Sequence, residues 1–252
     1  MSLSARIVLY IVLASSGLVP AVADADVDTP ATRLSSEDRG DVYMARKMYR
    51  EAIDAYREGE ATPGTNKAIL EDKIGIAWHQ LGDVNSALKS YQRAVKLDPK
   101  YADAINNIGT IFYTQKRYRR AIGEYRRALA ITPAAAAIWS NLGTAWYARK
   151  KYPEMSAAYA KALELDPAVF DARSGPGTQM QDRSVEDKAR YHFEMARVYA
   201  KSGKNELALQ YLRKALEEGF TDKEKITKEP EFALLRETPE FKDLMALEPR
   251  VL

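Results

Sequence analysis

The chain carries few side chains of the kinds that enzymes use for catalysis. It has two histidines, His79 and His192, and no cysteine among its 252 residues. A nucleophilic cysteine, a thiolate metal site and a disulfide are therefore excluded, and two histidines give little material for an acid–base or metal centre.

Motifs that position phosphates, nucleophiles or zinc are also absent from the sequence. It contains no G-x-x-x-x-G-K, G-x-G-x-x-G, G-x-S-x-G or H-E-x-x-H. The sequence therefore predicts a protein that is not an enzyme and that has no catalytic residues, no metal site and no cofactor.

Positive charge is concentrated in one part of the sequence, which we call the basic cluster. It consists of Lys116, Arg117, Arg119, Arg120, Arg126, Arg127, Arg149, Lys150 and Lys151. Two interpretations remain open: a solvated outer helix face, or peripheral contact with an anionic membrane or an acidic protein through the stretch from Lys116 to Arg127. The formal net charge of the whole chain is only +3, which argues against a dedicated nucleic-acid binder.

These residues lie within a sequence repeat. Five columns of residues recur every 34 positions. They are Gly75, Gly109 and Gly143; Trp78, Phe112 and Trp146; Tyr91, Tyr125 and Tyr159; Ala94, Ala128 and Ala162; and Pro99, Pro133 and Pro167. Weaker copies precede and follow these three.

The spacing within one copy predicts two amphipathic helices. Ile105, Ile108 and Phe112 are spaced three and four residues apart, and Ala121 and Tyr125 repeat that spacing after a short turn. One such helix pair cannot bury its apolar face alone, so successive pairs must stack.

These residues resemble the tetratricopeptide repeat family, over about 33–66, 68–101, 102–135, 136–169 and 189–222. The resemblance implies an all-α fold, a right-handed α-solenoid of about five helix-turn-helix units. We expect the solenoid to span 35–222, with an insertion loop at 170–188, and 223–252 to form C-terminal capping helices.

The N-terminus has the layout of an export signal. Arg6 precedes an apolar, uncharged run, 7–19, and Ala21 and Ala23 form the small-residue pattern that precedes a cleavage site. We expect a signal peptide at 1–23, cleaved after Ala23, followed by a flexible tether at 24–34. A retained membrane anchor is the alternative, although the apolar run is short for a span.

In the tetratricopeptide repeat family the first helices of successive repeats line a concave groove. The resemblance therefore implies a peptide-binding groove made of polar residues that flank the glycine column. Its predicted members are Asn106, Asn107, Thr110, Tyr113, Ser140, Asn141, Thr144, Tyr147, Arg190 and Arg197. Neutral donors and acceptors suit the main chain of an extended peptide.

Some family members grip a terminal carboxylate with lysines and an arginine in this groove. Here Asp72, Ala137 and Asn141 stand where those cations are expected, which argues against that mode of recognition. The sequence predicts a non-catalytic scaffold or peptide-binding adaptor, periplasmic or secreted, with a protein or peptide partner and no nucleic acid. A chaperone-like assembly factor for exported proteins is the alternative.

Overall fold

The computed structural model describes residues 34–170 and 184–246, and every regular element among these residues is helical. The predicted signal peptide, 1–23, lies outside the described residues. So do the predicted tether at 24–34, apart from Leu34, residues 171–183 of the predicted insertion and residues 247–252 of the predicted cap.

Ten helices follow one another as five pairs, and each helix packs against the next along the chain. The pairs are α1 (Ser36–Ala45) with α2 (Tyr49–Ala61), α3 (Lys67–Gln80) with α4 (Val84–Leu97), α5 (Ala102–Thr114) with α6 (Tyr118–Ile131), α7 (Ala136–Ala148) with α8 (Tyr152–Leu165), and α9 (Val185–Lys201) with α10 (Asn205–Glu217). This stacking of helix pairs confirms the predicted all-α solenoid.

A tyrosine packed on a glycine sets the distance between the two helices of a pair. A Cβ atom added to Gly109 would lie 2.6 Å from the ring of Tyr125, and one added to Gly143 would lie 2.5 Å from the ring of Tyr159. Both rings are buried. The glycine column is therefore explained by the close approach of the tyrosine ring, and any side chain at these positions would push the helices apart.

The turn inside each pair contains a residue in the left-handed region of backbone conformation. Its φ is 79° at Gly82 and 74° at Gly203, but lysines occupy the equivalent positions 47, 116 and 150, with φ of 59°, 58° and 58°. Two of these lysines, Lys116 and Lys150, belong to the basic cluster, so part of that cluster lies in the turns.

The fifth pair starts earlier than the repeat pattern implied. Helix α9 begins at Val185, and the Ser184 hydroxyl accepts a hydrogen bond from the Asp187 amide at 3.2 Å. Serine three residues before an acidic residue is a helix-start signal in the sequence, and it marks this boundary correctly.

Three short elements follow the fifth pair: α11 (Lys223–Lys228), a 3-10 turn (Pro230–Phe232) and α12 (Pro239–Ala246). Phe232, Leu235, Phe241 and Leu244 are all buried and belong to the same apolar core as α9 and α10. They cover the apolar surface of the last helix pair, which would otherwise be exposed to water. No helix in the described ranges combines the length and apolar character that crossing a bilayer requires.

Candidate functional site

The first helices of neighbouring pairs are joined by hydrogen bonds between polar side chains. Asn107 on α5 donates from Nδ2 to Oδ1 of Asp72 on α3 at 2.9 Å. Asn141 on α7 donates from Nδ2 to Oδ1 of Asn106 on α5 at 3.0 Å. Asn106 and Asn107 are themselves 3.5 Å apart, Nδ2 to Oδ1. We call this set, Asp72, Asn106, Asn107 and Asn141, the amide ladder.

The amide ladder brings together the three asparagines that the sequence predicted as groove residues. Asn106 and Asn107 are half-buried, whereas Asn141 is 9% exposed. Each amide has two donor hydrogens and an acceptor oxygen, so Asn106 and Asn107 retain hydrogen-bonding capacity beyond the ladder bonds described above. A peptide main chain laid across α5 would find both donors and acceptors there.

The two threonines of the predicted groove bind the core tyrosines instead of facing outward. The Thr144 hydroxyl lies 3.0 Å from the Tyr159 hydroxyl and donates to the Ser140 carbonyl at 3.0 Å. Thr110 makes the matching contacts with Tyr125 and the Asn106 carbonyl, each at 3.3 Å. Thr144 is buried and Thr110 is half-buried. The threonines therefore satisfy buried phenols, a role that the sequence analysis missed.

Tyr113 and Tyr147 are 2% and 3% exposed, so the prediction that their side chains line an open groove is wrong. Aromatic packing holds them inside: Tyr113 lies 5.4 Å from Tyr118, and Tyr147 lies 5.0 Å from Tyr191, centroid to centroid. Ser140 stays half-buried on α7 beside the ladder. The surface left for a ligand is therefore narrower than predicted and centres on Asn106, Asn107 and Ser140.

The two predicted groove arginines are held by carboxylates. Arg190 pairs with Glu194 at 3.0 Å, and Arg197 pairs with Glu194 at 2.9 Å, Glu229 at 3.1 Å and Glu231 at 2.8 Å. Glu194 is 1% exposed. The ion pairs of Arg197 join the last repeat to the capping segment, and its side chain is 24% exposed. The groove role of both arginines stays a prediction.

Asp72 is the only carboxylate of the amide ladder, and it is 4% exposed. Burial raises the pKa of its carboxyl to about 6, an effect that the nearby Asp103 strengthens and that the bonds from Asn107 and Tyr101 oppose. From the sequence, Asp72 was only a position where a cation is missing. Asp72 lies 34 residues before Asn106 and 35 residues before Asn107. This spacing of about one repeat was the signal in the sequence that could have linked Asp72 to the asparagines.

We expect the stability of the fold to fall as pH rises from about 4 to about 6. In that window Asp72 is still protonated in the folded chain but ionised in the unfolded chain, so the folded state loses stability until both are ionised. A shift of about two pKa units corresponds to about 3 kcal/mol. Urea unfolding at several pH values should show this loss in the natural chain and not in Asp72→Asn, which retains an acceptor for Asn107. Asp54→Asn, on the exposed face of α2, is the control and should keep the loss.

The basic cluster lies at the turns between α5 and α6 and between α7 and α8 and along α6, which contains Arg126 and Arg127. The guanidinium carbons of Arg117 and Arg120 lie 5.0 Å and 4.3 Å from the centroid of Phe112. Those of Arg126 and Arg149 lie 5.1 Å and 5.8 Å from Trp146. Its aromatic neighbours thus position much of the basic cluster. Within the described ranges, no three His, Asp or Glu side chains converge as a metal site requires.

Comparison with known proteins agrees with this geometry. The family model described as TPR repeat matches residues 75–116 and 109–148, and the model described as tetratricopeptide repeat matches residues 189–218. Residues 75–148 and 189–218 are therefore tetratricopeptide repeats. Tetratricopeptide repeat proteins mediate protein–protein interactions and bind peptides, and they are typically non-catalytic scaffolds.

Individual relatives match parts of the chain. It is 32% identical over 92 residues to small glutamine-rich tetratricopeptide repeat-containing protein 2 of Mycosarcoma maydis, covering 36% of this chain and 25% of that protein. It is 39% identical over 70 residues to the photosystem I assembly protein Ycf3 of Rippkaea orientalis, covering 27% of this chain and 40% of that protein. The chain thus spans less than half the length of either relative.

A solved structure supports the fold over a longer stretch. The structure of pilF from Pseudomonas aeruginosa superposes with a TM-score of 0.53 at 20% identity and covers 84% of this chain and 86% of that one. At this identity the likeness concerns the tetratricopeptide repeat fold alone.

Proposed function

We propose that this tetratricopeptide repeat protein is a non-catalytic adaptor that binds an extended segment of a partner protein on its first helices. The amide ladder carries the proposal, because Asn106 and Asn107 present neutral donors and acceptors beside the half-buried Ser140. Such groups match the alternating amides and carbonyls of an extended main chain. Because Asp72 stands where a clamp would need a cation, we expect the contacts to be with the main chain and not with a terminal carboxylate.

The proposed location is the cell envelope, after export and cleavage of residues 1–23. The support comes from the sequence alone: the apolar run at 7–19 and the small residues at Ala21 and Ala23. N-terminal sequencing of the protein from its own cells tests it, with Asp24 as the expected first residue. A soluble protein that still begins at Met1 would contradict it. A contact of the basic cluster with anionic lipids would be compatible with this location.

A chaperone-like assembly factor is the second candidate. It is supported by the similarity of 70 residues to a protein whose name describes it as an assembly protein. An adaptor should bind one partner saturably, whereas a chaperone should suppress the aggregation of many unfolded chains.

The groove is tested by capturing the partner and then weakening its binding. A photo-crosslinking residue at Ser140 should capture the partner in intact cells, whereas the same residue at Gln92, which is exposed on α4, should not. With the captured partner purified, we expect Asn106→Ala with Asn107→Ala to lower its affinity about tenfold or more. Each lost neutral hydrogen bond is worth about 0.5–1.5 kcal/mol, and about 1.4 kcal/mol is tenfold.

The matched control is Asn85→Ala with Asn205→Ala, which removes two exposed asparagines from second helices. It should leave the affinity unchanged, and circular dichroism must show that both double variants keep their helices. Salt should affect the affinity little, because no charges are screened. If the variant with Asn106→Ala and Asn107→Ala is folded and binds the partner as the natural chain does, the proposed peptide groove is wrong.

A further inference from the structure

The turn between α5 and α6 forms a cleft in which every charged residue is positive. The cleft is open, has a volume of 410 Å³ and is lined by Lys116, Arg117, Tyr118, Arg119, Arg120 and Arg149. Arg149 reaches it from the end of α7, so two repeats contribute. In the described part of the chain, none of these five cations forms a salt bridge with a carboxylate; elsewhere in the basic cluster, Arg127 pairs with Glu124 and Lys150 with Asp187.

Aromatic contacts hold three of these arginines near the cleft. Arg117 and Arg120 both lie over Phe112, which is 4% exposed, and Arg149 lies over Trp146. A guanidinium that rests on a ring keeps its N–H donors for another acceptor. Arg117 makes one weak polar contact, in which its Nη1 lies 3.4 Å from Gln115 Oε1. These three arginines are therefore positioned without being neutralised.

The start of α6 adds to the same positive field. Its first turn contains Arg119 and Arg120 and no acidic residue, and its N-cap, Arg117, makes no side-chain hydrogen bond to the helix. The other second helices begin with an acidic side chain: Glu51 in α2, the N-cap Asp83 in α4, Glu154 in α8 and Glu206 in α10. Arginines at a helix N-terminus oppose the helix dipole, and an anion bound there would relieve that repulsion.

We propose that this cleft binds a phosphate group. Forked guanidinium donors from Arg119, Arg120 and Arg149 match phosphate oxygens, and Lys116 supplies a further charge. The same group occurs in soluble phosphates and in anionic phospholipid headgroups. The proposal does not rest on the groove, because the cleft and the amide ladder share no residue.

The experiment uses the full mature chain and two probes. The first is inorganic pyrophosphate, followed by the arginine side-chain resonances in NMR spectra. The second is sedimentation with phosphatidylcholine vesicles that contain phosphatidylglycerol, compared with pure phosphatidylcholine. Binding of pyrophosphate identifies a site for soluble phosphates, and binding to the anionic vesicles alone identifies a headgroup site.

In the arm that shows binding, we expect Arg119→Gln with Arg120→Gln to lower the affinity about tenfold or more, because two cations leave the cleft. Lys89→Gln with Lys96→Gln removes the same charge from the exposed face of α4 and should change the affinity less than about threefold. An equal loss in both variants, or no binding to either probe, would overturn the proposal.

Arg120 contacts Phe112, so its replacement could disturb α6. Lys116→Gln with Arg119→Gln leaves both arginines on Phe112 in place and should show the same loss. If this variant is folded by circular dichroism and still binds as the natural chain does, the cleft is not the site.

Discussion

Replacing Arg197 with alanine is expected to lower the free energy of unfolding by about 3–5 kcal/mol. Arg197 is the cation shared by Glu194, Glu229 and Glu231, at 2.8–3.1 Å. Glu194 is 1% exposed, so its charge would stay buried with Arg190 as its remaining cation. Removing one partner of a buried ion pair costs more than the pair contributes, because the other charge stays out of water with fewer groups to compensate it.

Urea unfolding followed by circular dichroism measures this effect. Arg213→Ala is the matched control, since Arg213 is exposed on α10, and it should change the stability by less than about 0.5 kcal/mol. The double variant Arg197→Met with Glu194→Gln removes charges of both signs and should recover part of the loss, which a double-mutant cycle would quantify. If Arg197→Ala and Arg213→Ala are equally stable, the ion pairs do not hold the capping segment to the last repeat.

Replacing glycine with alanine should change the free energy of unfolding in opposite directions at Gly109 in α5 and at Gly123 in α6. Gly109→Ala is expected to destabilise the fold by about 1–3 kcal/mol, because its Cβ would lie 2.6 Å from the buried ring of Tyr125. Gly123→Ala is expected to stabilise it by about 0.5–1 kcal/mol, because no atom lies within 4 Å of a Cβ there and alanine is the better helix former.

The pair serves as its own control, since both glycines lie inside helices of one repeat and the change in side chain is identical. Thermal or urea unfolding should separate the two variants on either side of the natural chain. Two shifts of the same sign would contradict the spacing of α5 and α6 described here.

The fold was predictable because its determinants repeat. The glycine and tyrosine columns recur at a fixed period because they contact each other inside each repeat, as Tyr125 contacts Gly109. Helix-start signals are equally local: Ser184 and Asp187 are three residues apart, and the Ser184 hydroxyl caps α9. The repeat period determines the ends of the fifth pair and of the capping segment less closely. Their predicted bounds were therefore less accurate, as the start of α9 at Val185 shows.

The sequence predicted which helices and positions form the candidate site. It did not predict which of those side chains are exposed, because the repeat period does not determine the contacts of each side chain. Tyr147 occupies an expected groove position, but its ring packs on Tyr191 and its hydroxyl donates to the Asp187 carbonyl at 3.2 Å. Arg197 has Glu194 three residues before it, whereas Glu231 follows 34 residues later on a segment outside the repeats. A contact such as that between Arg197 and Glu231 forms only in the folded chain, and no local sequence pattern predicts it.

The amide ladder has a consequence for the elasticity of the molecule. Its bonds from Asn107 to Asp72 and from Asn141 to Asn106 each cross from one repeat to the next, so they resist bending of the superhelix at those joints. A ligand amide that donates a hydrogen bond to Asn106 Oδ1 competes with Asn141 for that oxygen, and so with the bond that braces α5 against α7. If a partner binds here as proposed, its binding is coupled to the curvature of the superhelix, because each of these hydrogen bonds joins two repeats.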